Sequence, residues 1–122
     1  MSTLRTGIKN ARNVLRYTIG PESISELPNI LAPRRKSKNS PVIFFIDEFF
    51  LTKPNIITRL SLNECDSTIY LPTADEPSTE QIDQIVAQLR NDGLNKAAAI
   101  VGMGGGTTMD IAKAVANLLT ND

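Results

Sequence analysis

Residues 101–114 of the chain read Val-Gly-Met-Gly-Gly-Gly-Thr-Thr-Met-Asp-Ile-Ala-Lys-Ala. Ahead of the glycines, the run Ala97 to Val101 is apolar and short enough for a buried strand. Behind them, apolar residues recur at helical spacing, at Ile111, Val115, Leu118 and Leu119. The pattern predicts a strand, a glycine turn and a helix. Glycines clustered in such a turn let the backbone come very close to another group.

The glycine turn is predicted to bind a nucleotide phosphate. A helix N-terminus offers N–H groups without a helical partner and the positive end of the helix dipole, and both attract an anion. Gly104, Gly105 and Gly106 remove the side chains that would keep a pyrophosphate at a distance. Thr107 and Thr108 are expected to add hydroxyl donors at the rim of the turn.

Other interpretations of the turn explain less of it. A glycine-rich linker is not usually held between a strand and an amphipathic helix. A capping box of Thr107 and Asp110 would account for two residues and leave the three glycines without a purpose. The spacing of a Walker A loop is missing. The dinucleotide fingerprint G-x-G-x-x-G is half met, by Gly102 and Gly104, because Thr107 occupies its last glycine position.

Strands and helices are predicted to alternate along the chain. The predicted strands are Asn13 to Ile19, Val42 to Ile46, Ser67 to Leu71 and Ala97 to Val101. The second of these is nearly all apolar, which is typical of a strand covered on both faces. Four strand–helix units in sequence predict a Rossmann-like α/β fold, a doubly wound and mainly parallel sheet with helices on its faces.

The helices are predicted from caps and breakers. After Gly20, a helical stretch is interrupted or delayed by Pro28, and a weaker helix covers Pro54 to Leu60. The best helix runs from Ser78 to Asn91: Ser78 and Gln81 form a capping box, and Gly93 ends the helix. The basic segment 33–41 is interpreted as a solvated turn, with contact to a phosphate as the alternative.

Composition bounds the class of protein. With 122 residues, 41% of them hydrophobic and 21% charged, the chain can bury the core of one domain or of part of a larger one. Thirteen basic and thirteen acidic residues cancel, so no global field favours nucleic acid or an anionic membrane. A single cysteine and no apolar run of the ~20 residues that span a membrane predict a cytoplasmic protein.

The glycine segment resembles a known family. Gly104 to Lys113 is similar to the G-G-G-[ST]-x-x-D-x-A-K signature of the iron-containing alcohol dehydrogenase superfamily, which includes glycerol dehydrogenases. Three further segments fall in the order that the family would show: Tyr17 to Leu27, Val42 to Asp47 and Glu76 to Thr79. The resemblance covers nearly the whole chain and implies that the nucleotide is NAD.

Asp47 is the second candidate for the cofactor site. It ends a buried strand, and ligands of such sheets lie beyond the carboxyl ends of the strands. A carboxylate there can accept hydrogen bonds from both hydroxyls of the adenosine ribose. It would repel the 2′-phosphate of NADP, so it favours NAD. In the resembling family an acid at this place has that role. The alternative is that Asp47 only caps the helix after it; Glu48 is expected to face solvent.

The resemblance also implies groups that this sequence does not supply. The resembling enzymes hold a divalent metal, iron or zinc, with one aspartate and three histidines on a helical second domain, whereas this chain contains no histidine. Residues 1–122 are therefore expected to be an incomplete N-terminal NAD-binding domain without the metal-binding domain. No catalytic or metal-binding residue is assigned here. The chain alone is expected to be inactive, and the full-length enzyme to be a homodimer.

Three functions follow from these patterns. The first is an NAD- and metal-dependent dehydrogenase acting on a small-molecule alcohol or sugar acid. The second is a lyase similar to dehydroquinate synthase, and Asp110 to Lys113 resembles the dehydrogenases more closely. The third is a nucleotide-binding module without catalysis. Within the first, Tyr17 to Pro21 and Gly102 to Gly104 resemble a branch acting on sugar acids, which includes 3-deoxy-manno-octulosonate 8-oxidases.

Overall fold

A computed structural model of the protein describes residue 20 and residues 23–35, 40–72 and 77–120. Across these ranges the strands are β1 (Val42–Asp47), β2 (Ser67–Leu71) and β3 (Ala99–Met103). The α-helices are α1 (Leu27–Leu31), α2 (Pro54–Thr58), α3 (Thr79–Asn91) and α4 (Gly106–Thr120), with 3₁₀ turns at Ser23–Glu26, Ala32–Arg34 and Glu48–Thr52. The first predicted strand, 13–19, and Glu76 lie outside the described residues.

β1 is the centre of a parallel sheet with the strand order β2-β1-β3. Its residues Val42 to Ile46 are all 0% exposed, as a strand covered on both faces requires. Successive side chains of a strand point to opposite faces. Ile43 and Phe45 therefore enter one hydrophobic cluster, while Val42, Phe44 and Ile46 enter another.

Helices cover both faces of the sheet. The cluster around Phe45 includes Val86 and Leu89 of α3 and Ile111, Val115 and Leu119 of α4. The cluster around Phe44 includes Leu31 at the end of α1 and Leu60 just after α2. The predicted α/β fold with helices on both faces is confirmed. In the part of the chain that the structure describes, no helix is long and apolar enough to cross a membrane.

The ends of α3 follow the predicted capping residues. The N–H of Gln81 donates to Ser78 Oγ at 3.2 Å, and the N–H of Ser78 donates to Gln81 Oε1 at 2.8 Å. At the other end Gly93 has φ +76°, and the N–H of Leu94 donates to the carbonyl of Leu89 at 2.9 Å. Glycine adopts this backbone conformation without the cost that a β-carbon would add. The capping box and the stop at Gly93 are confirmed.

Prolines set the start of the two short helices. Pro28 lies in the first turn of α1, after the 3₁₀ turn Ser23–Glu26, so it delays the helix as predicted. Pro54 occupies the same place in α2, which ends at Thr58 instead of Leu60. A proline is tolerated in the first helical turn because its missing N–H would have no helical partner there.

Two sequence predictions need correction. β3 runs from Ala99 to Met103, not from Ala97 to Val101, because the N–H of Ala97 still belongs to a turn and donates to Leu94. The strand thus continues into the glycine segment, where Met103 pairs with Ile46. Leu118 is 45% exposed, so it is not part of the buried face of α4.

The prediction that the basic segment 33–41 is a solvated turn also needs correction, because Arg35 in this segment forms a largely buried ion pair with Asp66. Arg35 donates two hydrogen bonds of 2.7 Å to the carboxylate of Asp66, and a third, of 3.0 Å, to the carbonyl of Ser40. The side chains of Arg35 and Asp66 are 15% and 1% exposed. The carboxylate of Asp66 also accepts hydrogen bonds from the backbone N–H groups of Val42, at 3.0 Å, and Asn63, at 2.9 Å. The pair therefore fixes the edge of the sheet at which β1 and β2 begin.

The Arg35–Asp66 pair makes stability depend on pH. Burial raises the pKa of the Asp66 carboxyl, but hydrogen bonds from Arg35 and two backbone N–H groups outweigh it, so the pKa lies below its ordinary value. The unfolded chain therefore binds the proton first as the pH falls. The stabilisation is complete above the ordinary pKa of an aspartate, about 4, and is lost as the pH falls through the lower folded value.

We expect Asp66→Asn to lower the free energy of unfolding by about 3 kcal/mol at pH 7, because it leaves the Arg35 charge without its anionic partner. The difference from the wild type should shrink below about pH 4, where the wild type loses the same interaction. Denaturant titrations at pH 7 and pH 3 measure both values. Asp83→Asn on the exposed side of α3 is the matched control. A difference that is equal at the two pH values would contradict this account.

Candidate cofactor-binding site

The predicted site residues meet at the carboxyl edge of the sheet. β1 ends at Asp47 and β3 ends at Met103. Ile46 pairs with Met103, so the next residues of the two strands, Asp47 and Gly104, are neighbours. This is the edge at which ligands bind in open α/β sheets. The Arg35–Asp66 pair lies at the opposite edge.

The turn between β3 and α4 consists of Gly104 and Gly105 alone. The N–H of Met109 donates to the carbonyl of Gly105 at 3.1 Å and closes the first helical turn. A two-residue turn of this kind is not a linker. Thr107 is the second residue of α4 rather than its N-cap, so the capping box with Asp110 is excluded.

The N-terminus of α4 has the electrostatics of an anion site. The first N–H groups of an α-helix have no carbonyl partner within the helix and carry the positive end of its dipole. The first turn of α4 contains no acidic side chain that would compensate this charge. α4 has 15 residues, so the dipole is well developed.

Gly102 has a packing role that the sequence analysis did not assign. A β-carbon at Gly102 would lie 3.1 Å from Ala112 Cβ and 3.3 Å from Met109 Sδ. α4 therefore rests directly on β3 at this residue. The dinucleotide fingerprint does not predict this role, because it uses its first glycine, the position of Gly102, for the tight turn and its third for the packing of helix on strand.

Gly104 is the point at which the site is most crowded. It has φ +157°, and a β-carbon on it would lie 2.6 Å from Thr108 Oγ1 and 3.0 Å from Asp47 Cβ. No real β-carbon tolerates such distances to two other side chains at once. Because Gly104 has none, Asp47 of β1 and Thr108 of α4 approach the same point from two sides.

Gly105 and Gly106 are open where Gly104 is crowded. Apart from adjacent residues of the chain and the backbone of α4 itself, a β-carbon on either residue would have no described atom within 4 Å. Neither has a positive φ, so neither glycine is required by the backbone conformation or by packing of the described residues. The position that a side chain would take on Gly105 or Gly106 is therefore open, and the binding of a ligand there remains a prediction.

The two threonines differ in position. Thr107 is half-buried, whereas Thr108 is 0% exposed and lies under the turn instead of at its rim. The reason is helical periodicity, because Thr108 continues the buried stripe of Ile111, Val115 and Leu119. Within the described part of the chain, Thr108 Oγ1 has no hydrogen-bond partner. A buried hydroxyl in this state is costly in free energy and is typical of a binding site.

Asp47 is half-buried and already makes one contact that the alternative interpretation predicted. Its Oδ1 accepts the N–H of Phe49 at 3.0 Å and so caps the 3₁₀ turn Glu48–Thr52. A carboxylate has about four lone-pair positions, so this cap is compatible with ribose binding as well. Glu48 is exposed, as expected.

The donor set does not fit a catalytic metal. The sequence contains no histidine. Among residues 23–35, 40–72 and 77–120, no group of three or more Cys, Asp or Glu side chains could hold a metal ion. The features at the carboxyl edge, which are backbone N–H groups, open space and one carboxylate, suit a phosphorylated ribose instead.

Comparison with protein families agrees with this geometry. The chain matches the profile of the family described as iron-containing alcohol dehydrogenase over residues 15–122. The protein belongs to this family. The match confirms the resemblance carried by Gly104 to Lys113, and it places the chain in a family of dehydrogenase-type enzymes whose members generally use NAD and a metal.

We expect Gly104→Ala to lower the free energy of unfolding by about 3 kcal/mol, because the new methyl group would overlap Thr108 and Asp47. In Gly105→Ala, one residue further along the chain, the new methyl group would contact no other part of the described protein. The free energy of unfolding should fall by less than about 1 kcal/mol, which is the typical effect of replacing a helix N-cap residue. Thermal and denaturant unfolding compare the two variants. Equal losses would show that Gly104 is not held in the crowded position described above.

Proposed function

We propose that this chain is the NAD-binding part of a metal-dependent dehydrogenase that transfers a hydride between NAD and an alcohol or sugar-acid hydroxyl. One observation carries the proposal: Gly105 and Gly106, at the N-terminus of α4, border open space where a side chain would lie. An anion that enters this space meets unpaired N–H groups and the positive dipole end without displacing any described side chain. NAD, when bound, supplies the acceptor for the hydride.

Each site residue has a distinct part in binding. The backbone of Gly104, Gly105 and Gly106 holds the pyrophosphate, and the half-buried Thr107 donates its hydroxyl from the first turn of α4. Thr108 lies beneath Gly104 and supports the turn from below. We expect its hydroxyl to gain a hydrogen-bond partner when the cofactor site is filled.

Asp47 accepts hydrogen bonds from the hydroxyls of the adenosine ribose. It lies beside Gly104, so a ribose bound there would be close to the N-terminus of α4. Its negative charge would repel a phosphate on the ribose 2′-oxygen. The proposed cofactor is therefore NAD rather than NADP.

The substrate and the metal enter the proposal from the family. A metal polarises the alcohol oxygen in such enzymes. The described side chains of this chain form no group that could hold a metal ion, so none of them is given a part in that step. The sugar-acid branch is favoured only by the resemblance of Tyr17 to Pro21 and Gly102 to Gly104. The homodimer and the cytoplasmic location likewise remain predictions.

We expect Gly105→Val to raise the dissociation constant for NAD about ten- to hundredfold, since the side chain would occupy the space of a phosphate oxygen, at the 1–3 kcal/mol typical of such overlap. Calorimetric titration of NAD into the purified protein measures the change. Asp66→Asn is the control, because it weakens the fold at the opposite edge of the sheet and should leave affinity unchanged in the folded protein. An unchanged dissociation constant for Gly105→Val would refute the phosphate-binding role of the turn.

We expect Asp47→Ser to narrow the preference for NAD over NADP at least tenfold, because one charge clash of about 2 kcal/mol is removed. Serine can still cap the 3₁₀ turn through its hydroxyl. Glu48→Ser is the matched control, since it removes the same charge from the next, exposed residue. The ratio of the two dissociation constants is measured for all three proteins. If Asp47→Ser moves that ratio no more than Glu48→Ser does, Asp47 is only a cap.

A further inference from the structure

We propose that the ring of Phe49 stacks on the adenine base of the bound dinucleotide. The inference rests on the proposed NAD site and extends it to the base. Phe49 is 57% exposed, although an aromatic ring of this size gains free energy from burial. It is two residues beyond Asp47, at the same carboxyl edge of the sheet.

The position of Phe49 is fixed relative to Asp47. Its backbone N–H donates to Asp47 Oδ1 at 3.0 Å, so the carboxylate proposed for the ribose also holds the residue that carries the ring. The ring packs edge-to-face on Phe50, with the centroids 5.4 Å apart and the planes at 77°. Phe50 in turn packs against the buried cluster around Phe44. The exposed ring therefore packs on a neighbour that is itself anchored in the core.

The chemistry of the ligand matches this placement. A base is joined directly to the ribose whose hydroxyls Asp47 would accept, so it must lie within a few ångströms of that carboxylate. An edge-to-face pair leaves a face of the Phe49 ring for a second partner. Stacking of a base on an aromatic side chain strengthens binding and tolerates any base, because every base has a π-face.

A second copy of the chain is the competing occupant of this surface. Leu51 belongs to the same 3₁₀ turn and is 56% exposed. A protein interface over the turn would bury Phe49 and Leu51 alike, whereas base stacking requires only the aromatic ring. Substitutions at the two residues therefore separate the two explanations.

The first experiment titrates NAD, AMP and inorganic pyrophosphate into the wild type, Phe49→Ala and Leu51→Ala. Phe49→Ala should weaken NAD and AMP by a similar factor, about tenfold, and leave pyrophosphate unchanged because it has no base. Leu51→Ala should bind all three as the wild type does. Wild-type affinity for NAD and AMP in Phe49→Ala would overturn the inference. Failure of the wild type itself to bind NAD would instead remove the proposed cofactor site, and the base contact with it.

The second experiment uses the absence of tryptophan from the sequence. Phe49→Trp introduces the only tryptophan, whose ring can still stack and whose emission can be excited apart from that of the two tyrosines. AMP and NAD should quench this emission with dissociation constants within a few-fold of the wild-type values. Leu51→Trp is the matched control and should show no quenching. Equal quenching in both variants, or a change of oligomeric state in both alanine variants by analytical ultracentrifugation, would assign the turn to another contact and contradict the inference.

Discussion

The structure depends on the burial of the apolar residues of β1. Five consecutive apolar side chains, Val42 to Ile46, are shielded from water, and because they alternate in direction the sheet must be covered on both faces. α3 and α4 cover one face, while α1 and the segment after α2 cover the other. With β2 and β3 paired on either side, the carboxyl ends of the strands come together at one edge. The place of the candidate site therefore follows from the core.

At that edge the chain departs from ordinary packing rules, and the departures are confined to a few residues. Gly104 has a rare backbone conformation with no room for a side chain, and the buried Thr108 hydroxyl beneath it has no partner in the described part of the chain. Gly105 and Gly106, by contrast, border open space. Such local violations inside a well-packed fold are typical of functional sites. The opposite edge, closed by Arg35 and Asp66, satisfies its polar groups.

Much of the fold could be predicted from local patterns. The bounds of β2, the capping box of α3 and the burial of β1 depend on residues close in sequence. The predicted bounds of β3 are wrong by two residues because Gly102 and Met103 are typical of a turn, whereas pairing with β1 keeps them in the strand. The burial of Thr108 is not visible in the apolar pattern, because threonine carries a hydroxyl although it lies on the same helix face as Ile111 and Val115. The Arg35–Asp66 pair joins residues far apart in sequence, and such contacts arise only from tertiary structure. The candidate site residues are predicted by motif and by resemblance, because glycines between a strand and a helix are visible in the sequence itself.

The most direct test of the account is the response of individual backbone amides to NAD. In a ¹⁵N-labelled sample of the protein, titration with NAD should shift the amide resonances of Gly105, Gly106 and Thr107 most strongly, because their N–H groups would donate to the pyrophosphate. The amides of Val42 and Asn63, which donate to Asp66 at the other edge, should stay in place. Saturable binding that shifts other residues and leaves these three unmoved would contradict the assignment of the α4 N-terminus as the phosphate site.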